Sequence, residues 1–176
     1  MISVYQVGVT DEPERSELEK SVAMLHSDLG AIRLCHGISA AAQRYLQEIK
    51  DLQQGRGYVA REAIPANTDI AYYTGTLKFA RRVQWSNHVM HILYHFPKGM
   101  ELVIDGTPIP GERLPLGSMQ LANHSCSPNC TTHSYDQEDG LSLHILRTCR
   151  IIQPGEQITF AYGGTDRKST RLNSSH

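Results

Sequence analysis

The chain has 176 residues, of which 40% are hydrophobic, and a formal net charge of −1. This length predicts one domain with a single packed core, and the near-neutral charge excludes a global basic field of the kind that attracts nucleic acid. No apolar run approaches the roughly 20 residues of a membrane span, and no signal peptide is evident. Four cysteines are too few for a disulfide framework, so we expect a reduced, intracellular setting.

The first third of the chain, residues 1–52, predicts a helical N-terminal extension after a short strand or loose lead. A first helix is expected after Thr10, because acids and a proline suit a first turn. We expect it to stop near Gly30. A second helix is expected after Gly37, with Ser39 as its cap and its end near Leu52. Apolar residues recur at helical spacing in the first helix: Leu18, Val22, Leu25 and Leu29.

From Gly55 onward, short β-prone segments alternate with Gly, Pro, Asn and Asp. Turns are predicted at Pro65–Asn67 and at Gln153–Gly155. Many short strands without long helices between them predict a β-rich α+β fold for residues 53–164. The segments predicted as strands are 58–60, 70–73, 89–94, 102–104, 141–145 and 157–160.

The tail, residues 165–176, is expected to be non-native. From Asp166 to the end its only apolar residue is Leu172, and it resembles a translated vector sequence. We exclude it from reasoning about the fold.

The most informative segment is Asn123-His124-Ser125-Cys126-Ser127-Pro128-Asn129-Cys130. On its own it is typical of a well-capped loop, since Asn and Ser bond neighbouring backbone and proline restricts a turn. Zinc is a second interpretation, because His124, Cys126, Cys130 and His133 are ligand types, but a second cysteine pair is missing. A histidine trio, His88, His91 and His95, would share a face only on a helix, whereas its surroundings are β-prone. We therefore expect no metal site.

Three further segments carry weaker signals when each is taken alone. Gly55-Arg56-Gly57 lets a backbone approach a ligand closely, but it lacks the third glycine of a dinucleotide fingerprint. Tyr73-Thr74-Gly75 is typical of a strand end. Gly155-Glu156 predicts a turn, and the strand after it leads to Tyr162.

Taken in this order, the four segments resemble the SET-domain protein lysine methyltransferases. The resemblance implies a SET-domain fold whose last two motifs form a threaded loop, or pseudoknot, an exception to the usual unthreaded topology. It also implies the cofactor S-adenosylmethionine, catalytic roles for Tyr162 and Tyr73, and a lysine channel lined by these tyrosines and Phe160. The residues that the resemblance assigns to the cofactor are Gly55, Arg56, Gly57, Tyr58, Asn123 and His124.

The implied activity is methylation of a protein lysine, with a histone as the expected substrate and no direct nucleic-acid or membrane partner. The location would be nuclear for a histone substrate and cytoplasmic otherwise. Two alternatives are an inactive SET module that binds a peptide or partner, and a zinc-binding adaptor. The sequence departs from the family pattern at Gln120, where members often have Arg, and at Ala161, where many have an acid. Cysteine-rich flanking segments are absent; in members that have the later one, the cysteine matching Cys126 joins a zinc site.

Overall fold

The structure is a computed structural model that describes residues 5–7, 12–51, 55–83, 89–92, 102–108, 110–111, 113–136 and 142–162. The first half contains β1 (Tyr5–Val7), α1 (Glu12–Ser27), α2 (Leu29–Tyr45), β2 (Leu46–Asp51), β3 (Gly55–Ala60), β4 (Asp69–Tyr72) and β5 (Gly75–Phe79). The second half contains β6 (Val89–Ile92), β7 (Leu102–Asp105), β8 (Asn123–His124), β9 (Cys130–Tyr135), β10 (Leu143–Thr148) and β11 (Thr159–Phe160). Short 3₁₀ turns cover Ala80–Arg82 and Met119–Leu121.

Within the described residues the strands form three sheets. Their orders are β1-β5-β7-β6, β4-β10-β9-β11-β8 and β2-β3. Single bridges tie the small sheet to its surroundings, for example Val59 to Gln157, and Ile64 pairs with Ile152. Short strands with few helices confirm the predicted β-rich α+β architecture, and the predicted turns are present at 66–67 and 154–155.

The two N-terminal helices meet at Asp28, which corrects the predicted breaks at Gly30 and Gly37. The Asp28 carboxylate accepts from the backbone N–H groups of Gly30 and Ala31 at 2.6 and 3.0 Å, which caps α2. Helix α2 then runs through Gly37 and Ser39 without interruption. Leu29, which we expected on the apolar face of the first helix, is 68% exposed because it opens α2 instead.

Helix α2 packs against β4 and so attaches the N-terminal helices to the β-rich part of the chain. Its buried residues recur at the helical spacing of a single stripe. In α1, Leu18 and Val22 are buried as predicted. The stripe on α2 consists of Ala31, Cys35, Ile38 and Ala42.

The prediction that the second helix extends to about Leu52 is wrong. The helix ends at Tyr45, and the next residues form β2, which pairs antiparallel with β3. In this pairing Leu46 lies opposite Ala60, and Asp51 lies opposite Gly55. Leu46 is fully buried in this arrangement. Cross-strand pairing therefore overrides the local helical preference, and β2 supports the strand that carries Gly55-Arg56-Gly57.

None of the helices in the described part of the chain is long and apolar enough to cross a membrane. All four cysteine thiols are free.

Candidate active site

The last strand of the described chain lies between two strands that are joined by a loop crossing over it. Strand β11 pairs in parallel with β8 on one side and with β9 on the other. The loop 125–129 joins β8 to β9, so it must pass across β11, and the Ser125 N–H donates to the Phe160 carbonyl at 3.1 Å. A loop that crosses over the last strand is what the threaded arrangement implied by the resemblance requires, and the strand register places His124 beside Phe160.

Asn129 joins the crossing loop to the segment beneath it. Its side chain is buried, donates to the Gln157 carbonyl at 2.7 Å and to the Glu156 carboxylate at 3.1 Å, and accepts from the Thr159 N–H at 2.9 Å. A side-chain amide can donate and accept hydrogen bonds at the same time, and Asn129 needs both abilities to bond the Glu156–Thr159 segment. Sequence reasoning treated Asn129 only as part of a motif and did not single it out as a structural joint.

Glu156 holds the turn that leads into β11. Its carboxylate pairs with the Arg150 guanidinium and accepts from the Gln153 N–H at 3.0 Å. These partners, with the Arg150 hydrogen bond first, lower the pKa of Glu156 from its ordinary value of 4.5 to about 2. The carboxylate therefore stays charged at neutral pH and keeps the turn in place.

Gly57 and Asn123 come together although 66 positions separate them in the sequence. A Cβ added at Gly57 would lie only 2.6 Å from the Asn123 Nδ2 atom, so the glycine is what allows this approach. The Asn123 Nδ2 atom is buried and has no hydrogen-bond partner among the described residues. A buried donor without an acceptor is costly, and a polar ligand placed beside Gly57 would satisfy it.

The other residues of the Gly55–Tyr58 segment differ in what they offer. Gly55 has φ +80°, which favours glycine, and faces open space. The Arg56 side chain pairs with Glu48 of β2 at 2.5 Å. The Tyr58 side chain is fully buried, its hydroxyl accepts from the Gly117 N–H at 3.1 Å, and burial raises its pKa to about 12. Tyr58 therefore serves the core with its side chain, and only its backbone remains for a ligand.

His124, the last residue of β8 before the crossing loop, contacts Tyr162. The Tyr162 N–H donates to the His124 Nδ1 atom at 3.1 Å, and the two rings lie 5.2 Å apart between centroids. Because Nδ1 accepts here, a neutral imidazole carries its proton on Nε2. That nitrogen lies 3.6 Å from the Cys126 sulfur.

The Tyr162 hydroxyl donates to the backbone carbonyl of Ala122 at 3.0 Å. Its ring packs against Phe160 with centroids 4.8 Å apart. Burial raises the pKa of Tyr162, so the phenol is neutral at physiological pH. Because the hydroxyl proton is donated to the Ala122 carbonyl, the hydroxyl oxygen can use its lone pairs to accept a hydrogen bond from a ligand.

Tyr73 is 4% exposed, and a Cβ added at Gly106 would lie 2.6 Å from its hydroxyl oxygen. Burial raises the pKa of Tyr73, and the Asp105 carboxylate raises it further. Thr74, the residue after Tyr73, accepts from the Gln120 Nε2 atom at 3.1 Å, and Ala122, two residues after Gln120, accepts from the Tyr162 hydroxyl. The two predicted tyrosines are therefore connected through one short segment. Tyr73 is held by its N–H, which donates to the His144 carbonyl at 2.8 Å.

The described residues contain no group of three or more His, Cys, Asp or Glu side chains that could hold a metal ion. Cys126 is exposed, whereas Cys130 is buried. The His88 and His95 positions lie outside the described residues, as does the side chain of His91. The absence of a metal site therefore stays a prediction.

The sequence of this chain is similar to those of known proteins. Residues 55–163 match the sequence profile of the SET domain family. The histone-lysine N-methyltransferase, H3 lysine-36 specific, of Cryptococcus neoformans is 32% identical over 135 residues, which are 73% of this chain and 15% of that protein. The histone-lysine N-methyltransferase ash1 of Drosophila melanogaster is 29% identical over 133 residues, 72% of this chain and 5% of that protein. The chain thus spans a small part of these relatives.

Solved structures show the same fold. The crystal structure of KRYPTONITE with mCHH DNA, an H3(1-15) peptide and SAH (S-adenosylhomocysteine) is 23% identical, with a TM-score of 0.53 over 76% of this chain and 25% of that chain. A second KRYPTONITE structure, with mCHG DNA and SAH, gives a TM-score of 0.54 at the same identity and coverage. The family profile covers more than half of this chain, and the chain therefore belongs to the SET-domain family.

Proposed function

We propose that this chain is an S-adenosylmethionine-dependent protein lysine methyltransferase that acts on a histone in the nucleus. Family membership and relatives named as histone-lysine N-methyltransferases support this proposal. The observation that carries it is the Tyr162 hydroxyl, which donates its proton to the Ala122 carbonyl, on a segment that Gln120 ties to the neighbour of the buried Tyr73. Two phenols held in this way can receive and orient an amine.

The residues present fit the cofactor. The unpartnered Asn123 Nδ2 atom offers a donor, and Gly55 and Gly57 leave room for a ligand to approach the backbone. We propose that S-adenosylmethionine is held by Gly55, Arg56, Gly57, Tyr58, Asn123 and His124. When bound, it would supply a methyl group from a sulfonium sulfur to the amine nitrogen and would leave as the neutral thioether. The KRYPTONITE structures, which have the same fold, contain SAH, and this supports a site for the related cofactor here.

The role of Tyr162 is to position rather than to act as a strong base. Its raised pKa keeps the hydroxyl protonated at neutral pH, so no phenolate is present to act as a general base. Its lone pairs can accept an N–H of a neutral lysine amine and direct the nitrogen lone pair toward the methyl group. Holding two reactants in line contributes up to roughly 7–11 kcal/mol in ideal cases.

The channel lined by Tyr73, Phe160 and Tyr162 favours the reactive form of the substrate. A lysine ammonium has no lone pair, so the substrate must lose a proton before it attacks. Tyr73 and Phe160 are 4% and 6% exposed. A dry, aromatic surrounding disfavours a charged ammonium and lowers the pKa of the entering lysine.

The test is a titration of the full chain with S-adenosylmethionine by calorimetry, followed by a methyl-transfer assay on mixed histones with mass spectrometry of the products. We expect stoichiometric binding and methyl groups on lysine. Cofactor binding without transfer to histones or to other nuclear proteins would instead favour an inactive binding module. No cofactor binding would contradict the assignment of the site.

A further inference from the structure

Gln120 lies between the two parts of the chain that present the tyrosines. It belongs to the 3₁₀ turn Met119–Leu121, which leads directly to Ala122, the acceptor of the Tyr162 hydroxyl. The Gln120 Nε2 atom donates to the carbonyl of Thr74 and to its Oγ1 atom, the latter at 3.1 Å. Thr74 follows Tyr73 directly. One side chain therefore connects the neighbour of one tyrosine to the segment that anchors the other.

The orientation of this amide is determined by its partners. A backbone carbonyl only accepts, so the side-chain nitrogen of Gln120, and not its oxygen, must face Thr74. The Gln120 Oε1 atom on the other side is buried and has no hydrogen-bond partner among the described residues. The two bonds to Thr74 are therefore what holds the side chain in place.

We propose that Gln120 is a positioning residue for methyl transfer, which sets the separation between the Tyr73 and Tyr162 hydroxyls. The proposal rests on the proposed function. Displacement of a reacting group by about 1 Å can cost roughly a hundredfold in rate.

Backbone contacts also join these two segments. The Tyr72 N–H donates to the Gly117 carbonyl at 3.0 Å, and Tyr72 and Ser118 form a parallel bridge. These backbone contacts join β4 to the segment before Gln120 without its side chain. Removal of the Gln120 amide should therefore move the tyrosines relative to each other while the protein stays folded.

The test compares Gln120→Met, Thr74→Val and the double variant in the full chain, with Gln153→Met as the matched control at an exposed position. We expect Gln120→Met to lower kcat about tenfold to a hundredfold and to leave the calorimetric Kd for S-adenosylmethionine unchanged. Thr74→Val should lower kcat less, because the carbonyl bond survives. The double variant should be no worse than Gln120→Met, since the Thr74 hydroxyl has then already lost its partner.

Each other outcome decides against the proposal. An unchanged kcat in Gln120→Met, a weakened Kd that accounts for the whole loss, or effects that simply multiply in the double variant would overturn it while leaving the proposed function intact. If Gln120→Met does not fold, Gln120→Glu replaces it: it can accept from the Thr74 hydroxyl but repels the carbonyl, so an intermediate kcat is expected and a parental kcat overturns the proposal. An inactive parent chain would contradict the proposed function, and the inference would fall with it.

Discussion

The backbone N–H of Tyr162 donates to the Nδ1 atom of His124 at 3.1 Å, which joins the last described residue to the end of β8. This bond gives His124 a role besides the proposed cofactor contact, because its ring holds the backbone of Tyr162, two residues after β11. The same ring packs against that of Tyr162.

His124→Ala should therefore lower methyl transfer by about tenfold or more, because Tyr162 loses both its backbone acceptor and a ring contact. His124→Asn keeps an acceptor near the position of Nδ1 and should retain more activity than His124→Ala. Steady-state kinetics of the two variants checks this order. Equal activity in both would show that the acceptor is unimportant.

Asn129→Ala should destabilise the fold by about 2–4 kcal/mol, since it leaves several buried groups of β11 and the crossing loop without partners. Asn129→Asp should also destabilise, because a carboxylate would face the Gln157 carbonyl and the Glu156 carboxylate. Urea unfolding measures both, with the exposed Ser127→Ala as control. A loss no larger than that of the control would remove Asn129 from its role as a joint.

Gly57→Ala should weaken the binding of S-adenosylmethionine by about tenfold or more, because the added Cβ would lie 2.6 Å from the Asn123 Nδ2 atom and displace it. Gly37→Ala is the matched control: nothing lies within 4 Å of a Cβ there, in the middle of α2. It should raise stability by about 0.5–1 kcal/mol and leave the Kd unchanged. Calorimetry measures the Kd for S-adenosylmethionine of both variants. Equal Kd values would show that Gly57 is not part of the cofactor site.

Stability should fall in acid through Glu156. Its folded pKa of about 2 lies below its ordinary value of 4.5, so the charged form stabilises the fold. That contribution is present above about pH 4.5 and is lost as the pH falls toward 2. The difference in unfolding free energy between the parent and Glu156→Gln should therefore shrink over this window. A difference that does not change with pH would contradict the assigned pKa.

The predictable parts of the fold were those with a strong local signal. The turns at Pro65–Asn67 and Gln153–Gly155 and strands such as β3 and β7 follow from residue type alone. Strand β2 was mistaken for helix because its partner β3 decides its conformation. Strand β11 is shorter than predicted, since Gln157 forms only a bridge to Val59. No local pattern could show these pairings.

In the candidate site, too, local motifs were predictable and long-range contacts were not. The motifs named Tyr73, Tyr162 and Asn123, and the structure brings all three to one region. The ties of Gln120 to Thr74 and of Tyr162 to Ala122 join residues 46 and 40 positions apart, so no spacing in the sequence signals them. The sequence showed that Gln120 departs from the family pattern, but it did not show that Gln120 bonds Thr74.

Tyr162→Phe tests the central claim most directly. It keeps the ring and its contact with Phe160, and it removes only the oxygen that bonds Ala122 and would orient the amine. We predict that the variant folds, binds S-adenosylmethionine with parental affinity, and transfers methyl groups to histone lysine more slowly by a factor of about 10²–10⁴. Equal rates for the parent and Tyr162→Phe would show that Tyr162 is only a packing residue and would contradict the mechanism.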